Sequence, residues 1–276
     1  MALFVFTTQK DFSAQLILKE AQKKSLDCFI YFYPDFIFKK DILYHKSKSF
    51  VSVNKKDKIV LRDPYQDGNY SLALGKILKR FYKQILLDKE CLRKHPRYED
   101  KLFQARFFQK NNLYIPETYF GTEVRKISKF PVVAKKRISS RGKDNSLLRN
   151  SQELNAFYKR HNARNYIAQT YKKATGDYRI LILKGKILGI VSRQVKLRRD
   201  KSIKVKVTQA FVKLPKKVTN DSLKITKKLG ADFVGIDVLF SQKKYYFLEA
   251  NLSPQFKGFS RVTGVNVAQK IINLFF

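Results

Sequence analysis

Three oxygen-bearing side chains in the last fifty residues have the types and spacing to hold a hard cation. They lie between Phe233 and Pro254, where two apolar runs rich in β-branched and aromatic residues flank the polar connector Ser241 to Lys244. That pattern predicts a hairpin. Asp237 sits in the middle of the first run. Glu249 and Asn251 lie two apart at the end of the second, so alternation along a strand puts both on one face. Burying a carboxylate costs several kcal/mol unless a cation or donor compensates it. A chain with only 22 Asp and Glu that places two of them in core strands points to such compensation. Two carboxylates and an amide suit magnesium, which one or two carboxylates and substrate phosphates usually hold. Singly, each acid reads as a solvent-facing strand residue paired with a lysine. The set followed by Ser253, Pro254 and Gly258 favours the cation.

The elements that must position these residues alternate between strand and helix. A strand from Ala2 to Phe6, a helix from Asp11 to Lys24 and a strand from Asp27 to Phe32 form a βαβ opening, which implies a parallel sheet. No glycine-rich turn follows the first strand, so a dinucleotide fingerprint is absent. Strands at Phe50 to Val53 and Lys58 to Leu61 lead through Arg62 to a helix from Ser71 to Leu87. A helix from Tyr98 to Asn111 carries the apolar stripe Leu102, Phe103, Phe107 and Phe108, with Lys101 on another face. Pro116 opens an extended segment. The strand from Pro131 ends at Lys135 and Lys136 and enters a loop, Arg137 to Asp144, whose serines, glycine and cations could cradle phosphate. Ser151 is expected to cap a helix reaching Arg160.

Tyr166 to Tyr171 reads as a strand. Tyr178 to Leu183 and Lys186 to Val191 read as a second hairpin about Lys184 and Gly185, followed by Arg193. Alternation from Ile203 to Val212 predicts a half-exposed strand. Gly230 stops a helix from Asn220 to Leu229, and Asn266 to Phe275 is the last helix. His45, His95 and His161 have no motif around them and read as surface residues.

With 276 residues and 44% apolar content, the chain can bury a sizeable core and is expected to form about two domains. No apolar run reaches the roughly 20 residues of a membrane span, and Leu3 to Phe6 is too short for a secretory signal; a cytoplasmic location is the expectation. Cys28 and Cys91 are too few for a disulfide framework or a zinc site and fit a reducing compartment. The formal charge of +36, from 58 Lys and Arg against 22 Asp and Glu, attracts nucleotides, nucleic acid, acidic peptides and anionic surfaces. The lysines are spread along the whole chain and no nucleic-acid motif accompanies them. Dedicated nucleic-acid binding is therefore disfavoured, and a purely compositional origin of the charge stays open.

Laid out in order, Lys101, Pro116 with Thr118, Val132 to Lys135, Ala168 to Tyr171, Gly176-Asp177-Tyr178-Arg179, Arg193, Gly235 to Asp237, Glu249 to Pro254, Gly258 and Thr263-Gly264 form one set. In it the stretch from Lys101 to Phe276 resembles the ATP-grasp superfamily, most closely the RimK-type amino-acid ligases. The resemblance implies an α/β protein of ATP-grasp fold, with two α+β lobes clasping ATP. Residues 98–172 would be the smaller nucleotide-covering lobe and 173–276 the metal-binding lobe, with 1–97 a preceding small α/β domain.

The resemblance further implies that Lys101 and Lys135 contact the ATP phosphates from two sides of a cleft. The backbone around Gln169, Thr170, Tyr171 and Lys172 would meet the adenine, with Asp177 at the nucleoside, and Lys201 and Ser202 would add nucleotide contacts. Asp237, Glu249 and Asn251 would hold two magnesium ions, manganese being the alternative. Arg193, with Arg179, would stabilise charge on the transferring phosphoryl group or the tetrahedral intermediate. This sequence departs from the family pattern in having only Gly142 in the loop after Lys135, Thr170 where an acid is common, and Ile203 where an asparagine follows an Arg-Ser pair. The paired glycines beyond that segment are also missing. Isoleucine cannot replace an amide donor and acceptor.

The implied activity joins a carboxylate to an amine at the expense of ATP, through an acyl phosphate. Positioning and charge neutralisation suffice for it, without a protein nucleophile. The expected partners are an amino acid such as glutamate and a carboxylate acceptor, an acidic peptide or protein tail being suggested by charge alone; a homo-oligomer stays open. Two rivals remain: a small-molecule kinase of the same fold, and a catalytically silent basic protein that holds nucleic acid or an acidic partner.

Overall fold

The computed structural model describes residues 1–8, 11–39, 42–45, 55–62, 81–139, 145–197 and 203–276. The expected strand at Phe50 to Val53, residues 71–80 of the expected helix, residues 140–144 of the phosphate-loop candidate, and Lys201 and Ser202 lie outside the described residues.

Asp11 starts the first helix. Its carboxylate accepts from the backbone N–H of Ser13 and Ala14 at 2.9 and 3.3 Å, satisfying donors that a first helical turn leaves orphaned. Helix α1 (Phe12–Lys23) thus connects the parallel strands β1 (Leu3–Thr7) and β2 (Cys28–Phe32), as the βαβ pattern requires. A short hairpin absent from the sequence reading follows, β3 (Phe36–Lys39) and β4 (Ile42–His45). Strand β5 (Lys58–Leu61) then returns parallel to β1, giving the order β2-β1-β5. The expected helix does not extend to Leu87: Tyr82–Gln84 is a 3-10 turn, and Ile85 bridges Ile59 in parallel because its side chain is buried in the core beside that strand.

Helix α2 (Lys89–Lys94) was not foreseen, and α3 (Lys101–Lys110) starts later than expected because Asp100 caps it, accepting from Leu102 N–H at 2.9 Å. Strands β6 (Thr118–Phe120), β7 (Val132–Lys136), β8 (Asn145–Leu148) and β9 (Tyr166–Thr170) form an antiparallel four-stranded sheet in the order β6-β9-β7-β8. Helix α4 (Ser151–Arg160) packs beside it, capped by Asn150 rather than Ser151.

The second large sheet is also antiparallel: β10 (Gly176–Leu183), β11 (Lys186–Leu197), β12 (Ile203–Gln209), β13 (Phe233–Ser241) and β14 (Lys244–Asn251), in the order β12-β11-β10-β13-β14. Helix α5 (Lys216–Leu229) begins earlier than expected, at Pro215, whose fixed φ suits a helix start. It ends at Gly230, with φ of 68°, where an added Cβ would lie 3.2 Å from Glu90 Cβ. Two short helices end the chain, the unforeseen α6 (Lys257–Thr263) and α7 (Val267–Ile272). No helix among the described residues is long and apolar enough to cross a membrane.

A pair of aspartates fastens β13 to the segment before α2. Asp88 accepts from the backbone N–H of Asp232 and Phe233 at 2.6 and 2.9 Å, and its own N–H donates to Asp232 Oδ2 at 3.0 Å. Burial raises the Asp88 carboxyl from 3.8 to about 8, with the Asp232 charge adding to the rise and the two N–H donors opposing it. Between those values the folded state binds more protons than the unfolded, so this group's contribution to stability falls as pH rises through the window. Asp88→Asn keeps the acceptor oxygen, tolerates the left-handed backbone of this position, φ 60°, and removes the buried charge. Its advantage over the wild type in denaturant unfolding should be small at about pH 4 and grow steadily towards about pH 8.

Candidate active site

A β-bulge sets the geometry of the cation candidates. Val238 pairs with Phe247, but the next residue, Asp237, pairs with Glu249. Leu248 is the extra residue; in an unbulged register Asp237 would face Leu248 instead of a second acid. Bulges re-aim side chains in this way beside functional sites. Gly235 opposes Asn251, so the three oxygen-bearing residues share one face of the β13–β14 pair. Glu249 and Asn251 are kept in place from behind by Gln104 of α3. Its buried amide accepts from Ala250 N–H at 2.8 Å and donates to Ala250 C=O at 3.2 Å, closing the free edge of β14 between the two candidates. Sequence reasoning missed Gln104; its only signal was a polar residue on the buried side of an amphipathic helix.

Two arginines from neighbouring strands reach the same face. Arg179, opposite Asp237 in the register, donates from Nε and Nη2 to Asp237 Oδ1 and Oδ2 at 2.7 and 2.8 Å. Arg193 donates from Nη1 to Asp237 Oδ2 at 2.9 Å and from Nε to Asp177. Burial pushes the Asp237 carboxyl up, but the charges and hydrogen bonds of Arg179 and Arg193 more than reverse this and leave it at about 2. Asp177, sharing Arg193 and standing beside Asp237, is raised by burial. Among the described residues Oδ1 of Asp237 accepts a single N–H, which leaves one of its lone pairs for a cation. Glu249 has no hydrogen bond or ion pair among the described residues. The face therefore carries three acids against two arginines, with the surplus negative charge at Glu249.

The donor set suits magnesium. Among the described residues no group of three or more His, Cys, Asp and Glu is placed to hold a metal, so a cation here draws on two carboxylates, the Asn251 amide and oxygens of a bound substrate.

The two lysines lie on β7 and at the start of α3. Asp100, the cap of α3, is ion-paired with Arg137 just past β7, and Lys101 N–H donates to Arg137 C=O at 3.0 Å. The Lys101 ammonium donates to Ser139 C=O at 2.8 Å. The N-terminus of α3 is thus pinned to the end of β7, which carries Lys135, while Gln104 one turn later holds β14. Burial lowers Lys135 to about 8 and the Lys101 charge adds to this, whereas Glu249, Asp237 and Asp177 pull the other way. Charges of the five-stranded sheet and of the start of α3 therefore act on one ammonium group.

At the end of β9, Gln169 is buried and donates from Nε2 to Thr118 Oγ1 at 2.9 Å. The backbone N–H groups of Thr170 and Tyr171 are used by Glu117 and Pro131. The Thr170 hydroxyl is buried with no partner among the described residues, an acceptor and donor left for a ligand. Tyr171 is exposed, and the Lys172 ammonium lies 5.3 Å from the centroid of the Tyr246 ring on β14. Asp177 lies on the cation face with Arg193 rather than apart from it. Two of the histidines are packed more closely than expected: His95 stands against Phe103 and Phe107, and His161 stacks on Phe157 at 4.2 Å.

Residues 108–275 match the family model of the RimK-like ATP-grasp domain. The chain belongs to that family. Among the relatives of this RimK-like chain is a probable alpha-L-glutamate ligase of Shewanella halifaxensis, 27% identical over 191 residues, which take in 64% of this chain and 41% of that protein. Another is a glutamate–LysW ligase, ArgX, of Sulfolobus acidocaldarius, 30% identical over 157 residues, covering 52% of this chain and 54% of that one. The chain spans about half the length of the curated relatives it matches. Its fold is similar to that of the ATP-grasp ligase PsnB complexed with a phosphomimetic variant of a minimal precursor, magnesium and ADP, with a TM-score of 0.73 over 99% of this chain and 97% of that one. At 13% identity this likeness speaks to the fold alone. The mixed α/β architecture with its two antiparallel sheets is thus the ATP-grasp fold that the motif set implied.

Proposed function

We propose that this chain is an ATP- and magnesium-dependent carboxylate–amine ligase that works through an acyl phosphate. The observation that carries the reading is Lys135: it stands on the four-stranded sheet yet feels Glu249, Asp237 and Asp177 of the five-stranded one. The ammonium of one sheet is thus within electrostatic reach of the acids of the other. In this reading residues 98–172 cover the nucleotide, 173–276 carry the cation face and 1–97 form the preceding domain.

Lys101 and Lys135 bind the triphosphate, and the end of β9 with Thr170 receives the adenine. Asp237, Glu249 and Asn251 hold the magnesium, which when bound neutralises charge on the phosphate oxygens. Arg179 and Arg193, fixed by Asp237 and Asp177, offer their remaining N–H groups to the phosphoryl group and to the oxyanion formed on amine attack. A substrate carboxylate oxygen bonds to the γ-phosphorus as the bond to ADP breaks. The amine then bonds to the acyl carbon, phosphate leaves, and the amine's surplus proton passes to phosphate or water. The names of the relatives make glutamate the first amino acid to test. The charge of +36 favours an acidic peptide or protein tail as acceptor, in an ATP-supplied cytoplasmic setting.

The deciding experiment is a screen for ADP release across amino acids and acidic peptides, with mass spectrometry of the products. An amide formed with ADP and phosphate supports the reading. A phosphorylated acceptor would make the protein a kinase, and no ADP with any pair would leave a silent binding protein. Lys135→Met supplies a test at the level of binding. It retains the apolar stem and removes the ammonium, so calorimetry should show ATP affinity lower by about 10- to 100-fold, the worth of a hydrogen bond to a charged group. Stability should hold or rise, since a desolvated charge is lost.

A further inference from the structure

Arg62, just past β5, has 2% of its surface exposed. A guanidinium so buried must be paired and hydrogen-bonded, and its partners lie on two different parts of the chain. Nε donates to Asp11 Oδ2 at 2.5 Å. Nη2 donates to the carbonyl oxygens of Ser253 and Pro254 at 3.4 and 3.3 Å, and the guanidinium lies 5.6 Å from the Phe256 ring centroid. Asp11 also accepts from the Thr7 hydroxyl at 2.8 Å and from Gln255 Nε2 at 3.0 Å. Ser13 Oγ donates to Gln255 Oε1 and accepts from Phe256 N–H, each at 3.1 Å. Thr7, Asp11, Ser13 and Arg62 therefore grip residues 253–256, the loop that follows β14.

The position of this network in the fold bears on its purpose. Strands β1 and β5 are parallel neighbours, while β2 flanks β1 on the other side. Thr7 and Arg62 mark the carboxyl ends of β1 and β5, the switch point where open α/β sheets receive ligands. The gripped loop leads directly to the proposed cation ligands. Ser253 N–H donates to Asn251 Oδ1 at 2.7 Å. A Cβ placed on Gly235, opposite Asn251, would lie 3.1 Å from Pro254 Cβ and 3.5 Å from Arg179 Cδ, so the loop and the stem of Arg179 both close on Gly235 with no room for a side chain between them.

We propose that Arg62 is a positioning residue for the cation site. With Asp11 it fixes the loop 253–256, and through that loop it sets the amide of Asn251 and the stem of Arg179. The inference rests on Asp237, Glu249 and Asn251 being the cation ligands. It assigns a role to a residue outside that set and in the N-terminal part of the chain.

Two variants of the full chain test it. Arg62→Lys keeps a charge opposite Asp11 but loses the planar fork that reaches the two carbonyls. Gln255→Ala cuts the grip from the loop side and leaves the Asp11–Arg62 pair whole, so it decides the matter should Arg62→Lys fail to fold. Hydrogen exchange read by mass spectrometry is expected to quicken over residues 252–258 in both variants, with β7 and β9 unchanged as the folding control. Mn2+ titrated in the presence of ADP, with the free ion followed by paramagnetic resonance, should bind about tenfold more weakly, the usual consequence of losing an outer-shell support. Unchanged exchange in the loop would overturn the proposal. So would a loosened loop with unaltered Mn2+ affinity, which would make Arg62 a scaffold residue only. Wild-type protein that takes up no Mn2+ would sink the cation reading itself, and the exchange data distinguish that result from failure of the strut.

Discussion

Asp237→Ala is expected to lower stability by about 3–5 kcal/mol, the cost of removing one partner from a buried charge network. The side chains of Asp237, Arg193 and Arg179 retain only 10%, 8% and 19% of their exposure, so solvent cannot repair the loss. Arg179 would be left without its carboxylate and Arg193 with Asp177 alone. The network also fixes the sign of the acid response. Arg179 and Arg193 overcome the effect of burial and hold Asp237 at about 2, against 3.8 for the free side chain. The stabilisation is thus complete above 3.8 and disappears as pH falls from there to about 2. Denaturant unfolding at neutral pH and along an acid series measures both. The wild type should lose stability over that window, and Asp237→Ala should lack this component of the acid limb. Asp237→Asn should fall nearly as far at neutral pH, because an amide cannot neutralise two guanidinium groups. A loss below about 1 kcal/mol, the range of a surface ion pair, would mean that solvent screens the cluster and that it does not brace β10, β11 and β13.

The order of those strands is what the sequence withheld. The alternation in Phe233 to Ser241 and Lys244 to Asn251 made the β13–β14 hairpin legible, and Gly230 marked the end of α5, because both signals are local. The family motif set made the ATP-grasp fold legible as well. Nothing local shows that β10 lies between β11 and β13, which is what brings Arg179 and Arg193 onto Asp237. Alternation put Glu249 and Asn251 on one face, but the bulge at Leu248, which turns that face towards Asp237, depends on pairing with β13. The supports were harder still. Gln104 reads as one polar residue in a helix, Arg62 as a cation after an apolar run, and Asp88 as a turn acid. Each gains its role from a partner more than 140 residues away. The helix boundaries that moved, at Tyr98, Ser151 and Asn220, did so because caps are decided by a single side chain or proline, which periodicity does not resolve.

Glu249→Gln should have the opposite profile to Asp237→Ala, and the contrast separates chemistry from scaffolding. Glu249 has no ion pair or hydrogen bond among the described residues, is only half-buried and faces Asp237 across the bulge. Glutamine has nearly the same shape, so unfolding free energy should change by no more than about 0.5 kcal/mol, as for substitutions away from packing and pairing features. What it removes is the surplus negative charge of the face. If that charge draws the cation, binding of Mn2+ with ADP should weaken steeply. ATP-coupled amide formation should then drop by about 10^3-fold, since the charge neutralisation supplied by a metal is worth several kcal/mol in the transition state. The reading fails if Glu249→Gln turns over within twofold of the wild type, because an acid without a close ion pair among the described residues would then have no cation to hold. A stability loss as large as that of Asp237→Ala would point elsewhere, to Glu249 as a hidden member of the arginine network.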